Sequence, residues 1–116
     1  MVKEPPVNEV LKMSLSAARQ RLVELMQEVN FGEILNLEVR QGEPVFAPAP
    51  TVVREIKLGS ANGPRPELRF RDFKLKLAVV ELLDHLDEFA DGVVERIEIR
   101  EGLPCRLRIV EQKAIA

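Results

Sequence analysis

Tryptophan and tyrosine are absent from the sequence, and cysteine and histidine occur only once each. Without Trp and Tyr, the chain lacks the side chains that stack best on nucleic-acid bases. A lone cysteine cannot form an internal disulfide, and a lone histidine cannot belong to a histidine cluster, so a disulfide scaffold and the common zinc sites are excluded. The fold must therefore be stabilised by a hydrophobic core, for which 46% of the residues are apolar.

A strong net charge and a long apolar run are also missing. The chain has 17 Lys and Arg against 19 Asp and Glu, a formal charge of -2, so no global field draws it to nucleic acid or to an anionic membrane. Its apolar runs are short, and Lys3, Glu4 and the pair Pro5-Pro6 interrupt the first residues. We therefore expect neither a signal peptide nor a spanning helix, and we predict a cytoplasmic protein without membrane contact.

The chain repeats itself within a length of 116 residues, which suits one domain and is too short for two of ordinary size. The segment LEVRQGEP at 37–44 returns 60 positions later as IEIREGLP at 97–104. Gly32 aligns with Gly92 at the same offset. Self-similarity at a fixed spacing indicates two copies of one structural unit.

The helical parts of the two copies match at a different offset. The segment VEL at 23–25 recurs at 80–82, 57 positions later, which predicts three extra residues near the end of the second helix. We predict a single domain over residues 1–116. Its repeat is expected at approximately 11–58 and 73–111, with a Gly- and Pro-containing loop at 59–66 as the connection.

Each copy begins with an apolar stripe that steps by three and four residues, the spacing of one helix face. The stripe residues are Leu11, Leu15, Ala18, Leu22, Leu25 and Val29 in the first copy, and Leu75, Val79, Leu82, Leu86 and Phe89 in the second. We expect the helices to end at Asn30 to Gly32 and at Asp91-Gly92, because a glycine adopts the left-handed conformation at a helix end without a side-chain clash.

After each helix, the apolar pattern changes to a period of two, which predicts a β-hairpin with one wet face. In the second copy, the row of Val93, Ile97 and Ile99 alternates with the row of Val94, Arg96, Glu98 and Arg100. Gly42 and Gly102 lie where a short hairpin loop needs a positive backbone angle, most simply a tight turn followed by a glycine bulge.

The first copy continues into an extra extended segment, because residues 51–58 and 68–71 alternate again between apolar and polar side chains. The element order is then helix, hairpin, extra segment, helix, hairpin. This order predicts an α+β fold made of a duplicated helix-plus-β-hairpin unit, in which an antiparallel sheet carries both helices on one face.

His85 lies on the second predicted helix near Glu81 and Glu88, an arrangement that suggests a metal site. Metal centres in helical bundles usually draw on Glu-x-x-His units from two helices, whereas the residue three before His85 is Leu82. The carboxylates are better explained as the solvated face of an amphipathic helix.

Cys105 would need a partnered base to act as a nucleophile, and strand alternation places its neighbouring arginines on the opposite face. We therefore expect Cys105 to be a buried small apolar residue. No phosphate-binding loop, Ser-His-Asp arrangement or dinucleotide fingerprint is present. The sequence accordingly predicts no enzyme activity, catalytic residue, metal ligand or cofactor.

Charge is distributed unevenly along the chain. Residues 54–76 include seven basic and three acidic residues, whereas residues 81–98 include seven acidic residues and one basic. The candidate contacts to phosphate or to a partner are Arg54, Lys57, Arg65, Arg69, Arg71, Lys74 and Lys76. Clustered cations suffice for phosphate contacts, but nucleic-acid-binding domains are usually basic overall. We therefore favour neutralisation of the acidic helix, within the molecule or across a dimer.

The segment FGEIL at 31–35, with apolar residues at 37 and 39 and a glycine at 42, resembles the YezD-like small bacterial proteins, a family of unknown function. The second copy is similar in GVV at 92–94. The resemblance implies a helix followed by a glycine-led strand and a hairpin, over approximately 18–57 and 75–111. It implies no activity and no functional residue.

These observations predict a non-enzymatic bacterial protein-interaction or assembly module. We expect a homodimer, because a small sheet often completes its burial against a second copy. The alternative is a nucleic-acid-associated protein that uses residues 54–76, and the third hypothesis is a small-ligand or metal binder near His85.

Overall fold

The computed structural model describes residues 10–66 and 75–111. In these ranges the chain forms two α-helices and a five-stranded antiparallel sheet, so the predicted α+β class is confirmed. The elements are helix α1 (Ala17–Val29), strands β1 (Gly32–Arg40), β2 (Glu43–Val45) and β3 (Thr51–Arg54), helix α2 (Leu77–Phe89), and strands β4 (Gly92–Arg100) and β5 (Leu103–Ile109).

β1 and β4 lie side by side at the centre of the sheet, whose strand order is β2, β1, β4, β5. β3 also pairs with β1, on the part of its edge that β2 leaves free. β2 pairs with residues 38–40 of β1, and β3 pairs with residues 32–35. One edge of the sheet is thus made by β2 and β3 together, and the other edge is made by β5.

Helix α1 begins later than its apolar stripe predicts. Leu11 and Leu15 precede the helix, and Lys12–Ser14 forms a short 3-10 helix. The N-cap is Ser16, whose hydroxyl oxygen accepts a hydrogen bond from the Arg19 amide at 3.2 Å. This bond satisfies one of the amide donors that the first turn of a helix leaves free.

The left-handed residue at the end of each helix is not a glycine. Asn30 follows α1 with φ of 62°, and Ala90 follows α2 with φ of 61°. Gly32 and Gly92, which the sequence places at the helix ends, are instead the first residues of β1 and β4. The predicted helix end at residues 30–32 thus includes the positive-φ residue Asn30, whereas the predicted end at residues 91–92 begins one residue after Ala90.

The core lies between the sheet and the two helices. Ile34 and Leu37 of β1 pair with Ile97 and Val94 of β4, and all four side chains are fully buried. They form one cluster with apolar side chains from both helices, so both helices lie on the same face of the sheet. The helix residues in this cluster are Leu22, Val23, Met26, Val29, Val79, Leu82, Leu83 and Leu86. Burying one such large side chain contributes about 1.5–3 kcal/mol.

An irregularity in each central strand changes which side chains face the core. In β1, Asn36 has φ of 58°, and Ile34 and Leu37, three residues apart, are both buried. In β4, the pairing with β5 shifts directly after Val94. The predicted alternation is therefore wrong at this point, because Val94 is fully buried while Val93 is 48% exposed. An extra residue at a bulge moves the following side chains to the other face.

Both hairpins are closed by two-residue loops, since strand pairing continues to residues 40 and 43 in the first and to 100 and 103 in the second. Both residues of each loop have positive φ, as a type I′ turn requires. Gly42 has φ of 76° and Gly102 has φ of 73°. Each glycine is the second residue of the turn itself, so the predicted glycine bulge after the turn is not formed.

The tip of each hairpin binds the end of the helix from the other half of the chain. The Gly42 amide donates a hydrogen bond to the carbonyl oxygen of Ala90 at 2.8 Å, and the Gly102 amide donates to that of Asn30 at 2.9 Å. These bonds satisfy carbonyl groups that a helix end leaves unpaired. Folding of each helix end is thereby linked to the opposite hairpin.

Arg19 of α1 adds a charged contact between the halves. Its guanidinium forms an ion pair with Asp87 of α2 and donates a hydrogen bond to the carbonyl oxygen of Gly42 at 3.0 Å. Its side chain is only 16% exposed. Among the described residues, the cation that pairs with Asp87 of the acidic helix is therefore Arg19 of α1.

The elements of the two halves keep one spacing. α2, β4 and β5 begin 60 residues after α1, β1 and β2, respectively. The three extra residues predicted in the second helix are therefore wrong, because helix and strand share the same offset. The predicted strand at 68–71 lies outside the described residues. No helix in the described ranges is long and apolar enough to cross a membrane.

Replacing Gly42 or Gly102 with valine should lower stability by more than about 1 kcal/mol, because a β-branched residue is strained at positive φ. The new Cβ would also lie 2.7 Å from Asp87 Oδ1 at Gly42, and 2.5 Å from Arg65 Cγ at Gly102. In thermal melts we expect a fall of about 4 °C or more for each variant. Gly63→Val is the control, because a Cβ added at Gly63 would meet no atom within 4 Å and Gly63 has no positive φ. Equal melting temperatures for the parent and all three variants would contradict the turn assignment.

Replacing Arg19 with alanine should destabilise the protein by about 1–3 kcal/mol, because a half-buried charged hydrogen bond is lost and Asp87 loses its ion pair. Arg21→Ala is the matched control on the same helix, since Arg21 is 48% exposed and its partner Glu28 is 44% exposed. An exposed pair contributes about 0–1 kcal/mol. Denaturant titration of both variants measures the difference, and equal losses would show that Arg19 does not link the halves.

Candidate functional site

Four of the seven predicted contact residues lie in the described part of the chain, beside α1, at the second hairpin loop and before α2. Arg54 and Lys57 line the same cavity beside the end of α1. Arg65 packs against the second hairpin loop, where its Cγ approaches Gly102. Lys76 is the residue directly before α2. The other three residues, which lie outside the described ranges, are Arg69, Arg71 and Lys74.

The cavity beside α1 has a volume of about 310 Å³. Its loop wall is held by Asn62, whose side chain accepts a hydrogen bond from the Lys57 amide at 3.0 Å and donates to the Lys57 carbonyl at 2.9 Å. Glu55 lies in the same wall as Arg54 and Lys57, so the local excess of positive charge is small. The nucleic-acid hypothesis for residues 54–76 stays a prediction.

His85 is exposed on α2, and its Nδ1 lies 3.9 Å from Glu88 Oε2. Glu81 and His85 line a groove between α2 and β5 together with Cys105. Within residues 10–66 and 75–111, no three His, Cys, Asp or Glu side chains are arranged to hold a metal ion. The groove thus combines the single histidine and the single cysteine of the chain without forming a metal centre in the described residues.

The groove between α2 and β5 has a volume of about 700 Å³. It is open along one side, because β5 is the last strand of the sheet on that side among the described residues. Its walls contain apolar side chains from both elements and two carboxylates. The lining residues are Ala78, Glu81, Leu82, His85, Pro104, Cys105, Arg106, Leu107, Ile109 and Glu111.

Cys105 is exposed, so the prediction of a buried cysteine is wrong. The reason is a second register shift between β4 and β5. Glu98 pairs with Arg106 and Ile99 pairs with Pro104, which leaves Cys105 without a partner residue in β4. Its thiol donates a hydrogen bond to the carbonyl oxygen of Glu98 at 3.4 Å. A bulge of this kind places an extra side chain outside the regular alternation.

The sheet face opposite the helices carries a charged network that the sequence analysis assigned only to a wet face. Arg96 Nη2 lies 2.5 Å from Glu33 Oε1, and this pair joins β4 to β1. Glu98 lies within 3.8–4.0 Å of three guanidinium groups, those of Arg96, Arg100 and Arg106. One carboxylate thus faces three cations. The alternating arginines of β5 were visible in the sequence, but the sharing of Glu98 depends on strand pairing.

β3 is an exposed edge strand with two valines at its centre, and the sequence predicts a contact role only for its last residue, Arg54. All four residues of β3 are exposed, with Val52 at 40% and Val53 at 43%. The exposed side chains continue along the chain to Ile56 at 57% and Leu58 at 90%, and Phe31 next to β1 is also exposed. The alternation of residues 51–58 signalled a strand, but only the sheet order shows that this strand is an edge.

Comparisons with family models, with curated proteins and with solved structures find no match to this chain. The assignment to the YezD-like family therefore stays a prediction. The interpretation of the site depends on the geometry of the two sheet edges.

Cys105 should react with a thiol reagent in the native protein, because its side chain is exposed and no disulfide occupies it. Titration with Ellman's reagent, with and without denaturant, tests this expectation. Cys105→Ser should change the free energy of unfolding by less than about 0.5 kcal/mol, as expected for a surface substitution. A thiol that reacts only after denaturation would contradict the geometry of the bulge.

Proposed function

We propose that the protein is a non-enzymatic assembly module that forms a homodimer through its β3 edge. The observation that carries this proposal is an exposed apolar edge strand, since all four residues of β3 are exposed and two of them are valines. An uncovered apolar edge is a template for pairing with another strand. Native proteins usually protect such an edge with charge, a bulge or a partner.

Among the described residues, β3 pairs only with β1, and the backbone groups on its other side define how a second copy would pair. The Glu55 amide donates a hydrogen bond to the Phe31 carbonyl, and the Val53 carbonyl faces Gly32 of β1. Since successive residues of a strand direct their backbone groups to opposite sides, Val52 and Arg54 present theirs at the open edge. A two-fold antiparallel pairing that uses both residues places Val53 opposite Val53 of the second copy.

The size of a stable interface requires more than the four residues of β3. A standard interface takes about 800 Å² from each partner. The exposed apolar side chains beside β3 extend the surface, and they belong to Phe31, Ile56 and Leu58. Their burial on association supports a dimer because the apolar area removed from water is the main favourable term in assembly.

The β5 edge is less suited to a second copy. Its outward side chains include Arg106, which is 84% exposed, and Arg108, which is 67% exposed. In a two-fold antiparallel pairing around Leu107, Arg106 would face Arg108 of the other copy. Like charges on an edge strand oppose strand-to-strand association. This contrast between the two edges favours β3 as the dimer contact.

We also propose that the two halves are copies of one unit. The elements repeat at an offset of 60 residues, and the β1–β4 pairing is unchanged when the halves are exchanged. Gly32 pairs with Ile99, and Val39 pairs with Gly92. Comparable losses of stability in the two glycine variants described above would support this proposal, and a loss confined to one of them would oppose it.

A lysine at Val53 should convert the dimer to a monomer, because two lysines would face each other across the proposed pairing. Light scattering coupled to gel filtration should give twice the 13.1 kDa mass of one chain for the parent at micromolar concentration, and the mass of one chain for Val53→Lys. A monomeric parent would overturn the proposal.

Val93→Lys is the matched control. Val93 is also an exposed valine of the sheet, at 48% against 43% for Val53, but it lies on β4 away from the edge. This variant should remain a dimer. Circular dichroism confirms that both variants fold, and a Val53→Lys variant that folds and still dimerises would place the interface elsewhere.

A further inference from the structure

The β5 edge offers two distinct environments to an added strand. Side chains of a strand alternate between the two faces of its sheet. On the helix side, they would enter the groove of about 700 Å³ beside α2, over Leu82, Leu107 and Ile109. On the open side, they would lie beside Arg106 and Arg108, which both project from β5 and are exposed.

The arginines on the open side have more donor capacity than nearby carboxylates can satisfy. Glu98 is shared by three guanidinium groups, and the Arg106 Nε lies 4.0 Å from it, beyond hydrogen-bond distance. Arg108 Nη1 lies 3.4 Å from Glu95 Oε1. A guanidinium has five N–H donors arranged to bind carboxylates in pairs. Added acidic side chains would therefore find donors that the protein itself leaves incompletely used.

We infer that the β5 edge binds an extended segment of another protein in which acidic residues alternate with apolar ones. The backbone of the segment adds a strand to the sheet, its apolar side chains enter the groove beside α2, and its carboxylates bind Arg106 and Arg108. Strand addition of this kind takes affinity from main-chain hydrogen bonds and specificity from alternate side chains.

The groove and its rim disfavour two other occupants. A second copy would place arginine opposite arginine, as described for the β5 edge above. A nucleic acid would bring its phosphates close to the carboxylate of Glu81, which lines the groove, and like charges repel. A peptide in which acidic and apolar residues alternate suits both faces of the β5 edge. Its carboxylates lie on the open face of the sheet, and only its apolar side chains enter the groove.

The direct test is binding of a fluorescent, end-capped nonapeptide that alternates valine and glutamate, measured by anisotropy with the full-length protein. The same peptide with lysine in place of glutamate should bind at least about tenfold more weakly, because attraction to the arginines becomes repulsion. A third peptide has the same composition, but its valines and its glutamates are grouped in separate blocks. It tests whether binding requires the two residue types to alternate. Equal binding of all three peptides, or no binding of the valine-glutamate peptide, would overturn the inference.

Cys105 reports where the peptide binds, because it lines the groove and is the only cysteine of the chain. The valine-glutamate peptide should slow alkylation of Cys105 by a maleimide reagent in proportion to the bound fraction. Binding that leaves the alkylation rate unchanged would place the peptide elsewhere and overturn the proposed site.

Charge reversal at Arg106 and Arg108 together should weaken peptide binding by about tenfold or more. The matched control is Arg40→Glu, because Arg40 is 71% exposed on the same sheet but lies on β1. Ala78→Trp is a second, uncharged variant that fills the groove from α2, and it should also reduce binding. If the double charge-reversal variant of Arg106 and Arg108 folds and binds the peptide with the affinity of the parent, and Ala78→Trp does so too, the site is refuted.

This inference is independent of the proposed dimer. Val53→Lys alters the β3 edge and leaves β5 unchanged, so it should bind the peptide with the affinity of the parent, whatever its oligomeric state. Loss of peptide binding in Val53→Lys, with Cys105 still reactive, would show that peptide and second copy share one surface and would contradict the assignment to β5.

Discussion

The pairing of β1 with β4 is the constraint on which the rest of the structure depends. It places Ile34 on Ile97 and Leu37 on Val94, so the central rows of buried side chains come from both halves of the chain. A slip of one residue would turn these side chains to the solvent face of the sheet. The same register carries each hairpin tip to the end of the opposite helix, where the amides of Gly42 and Gly102 find their carbonyl partners. Neither half has a complete core by itself.

Because β1 and β4 occupy the centre, the remaining strands must form the edges, and these two edges differ in chemistry. Proline residues end β2 early, and β3 then continues that edge with exposed valines. β5 pairs with β4 from residue 103 to residue 109, with two register shifts, and projects Arg106 and Arg108 on the open face. The described sheet thus has one edge with exposed valines and one edge with exposed arginines, and the two proposed roles depend on this difference.

Local patterns predicted a large part of the fold because helices and turns depend on nearby residues. The stripe through Val79 identified the buried face of α2. The stripe through Leu22 and Val29 identified only part of the buried face of α1, because it omitted Val23 and Met26. The glycines at 42 and 102 located both hairpin loops. The failures share a different cause. Val94 lies directly before one register shift between β4 and β5, and Cys105 is the unpaired residue of the other. One added residue at such a bulge reverses the alternation of side chains. The candidate site was missed for a similar reason, since an edge strand and an interior strand can have the same alternation.

The sequence by itself determined the fold class, the approximate ends of the helices and the positions of the tight turns, because side-chain period and backbone preference act over a few residues. Only the tertiary structure decided which strands are neighbours, and therefore which groups become exposed or shared. Arg19 pairs with Asp87, which is 68 residues away in the sequence, and Glu98 lies close to arginines of both β4 and β5. Such contacts depend on strand order and register, which follow from the burial of all apolar side chains together and not from any one segment.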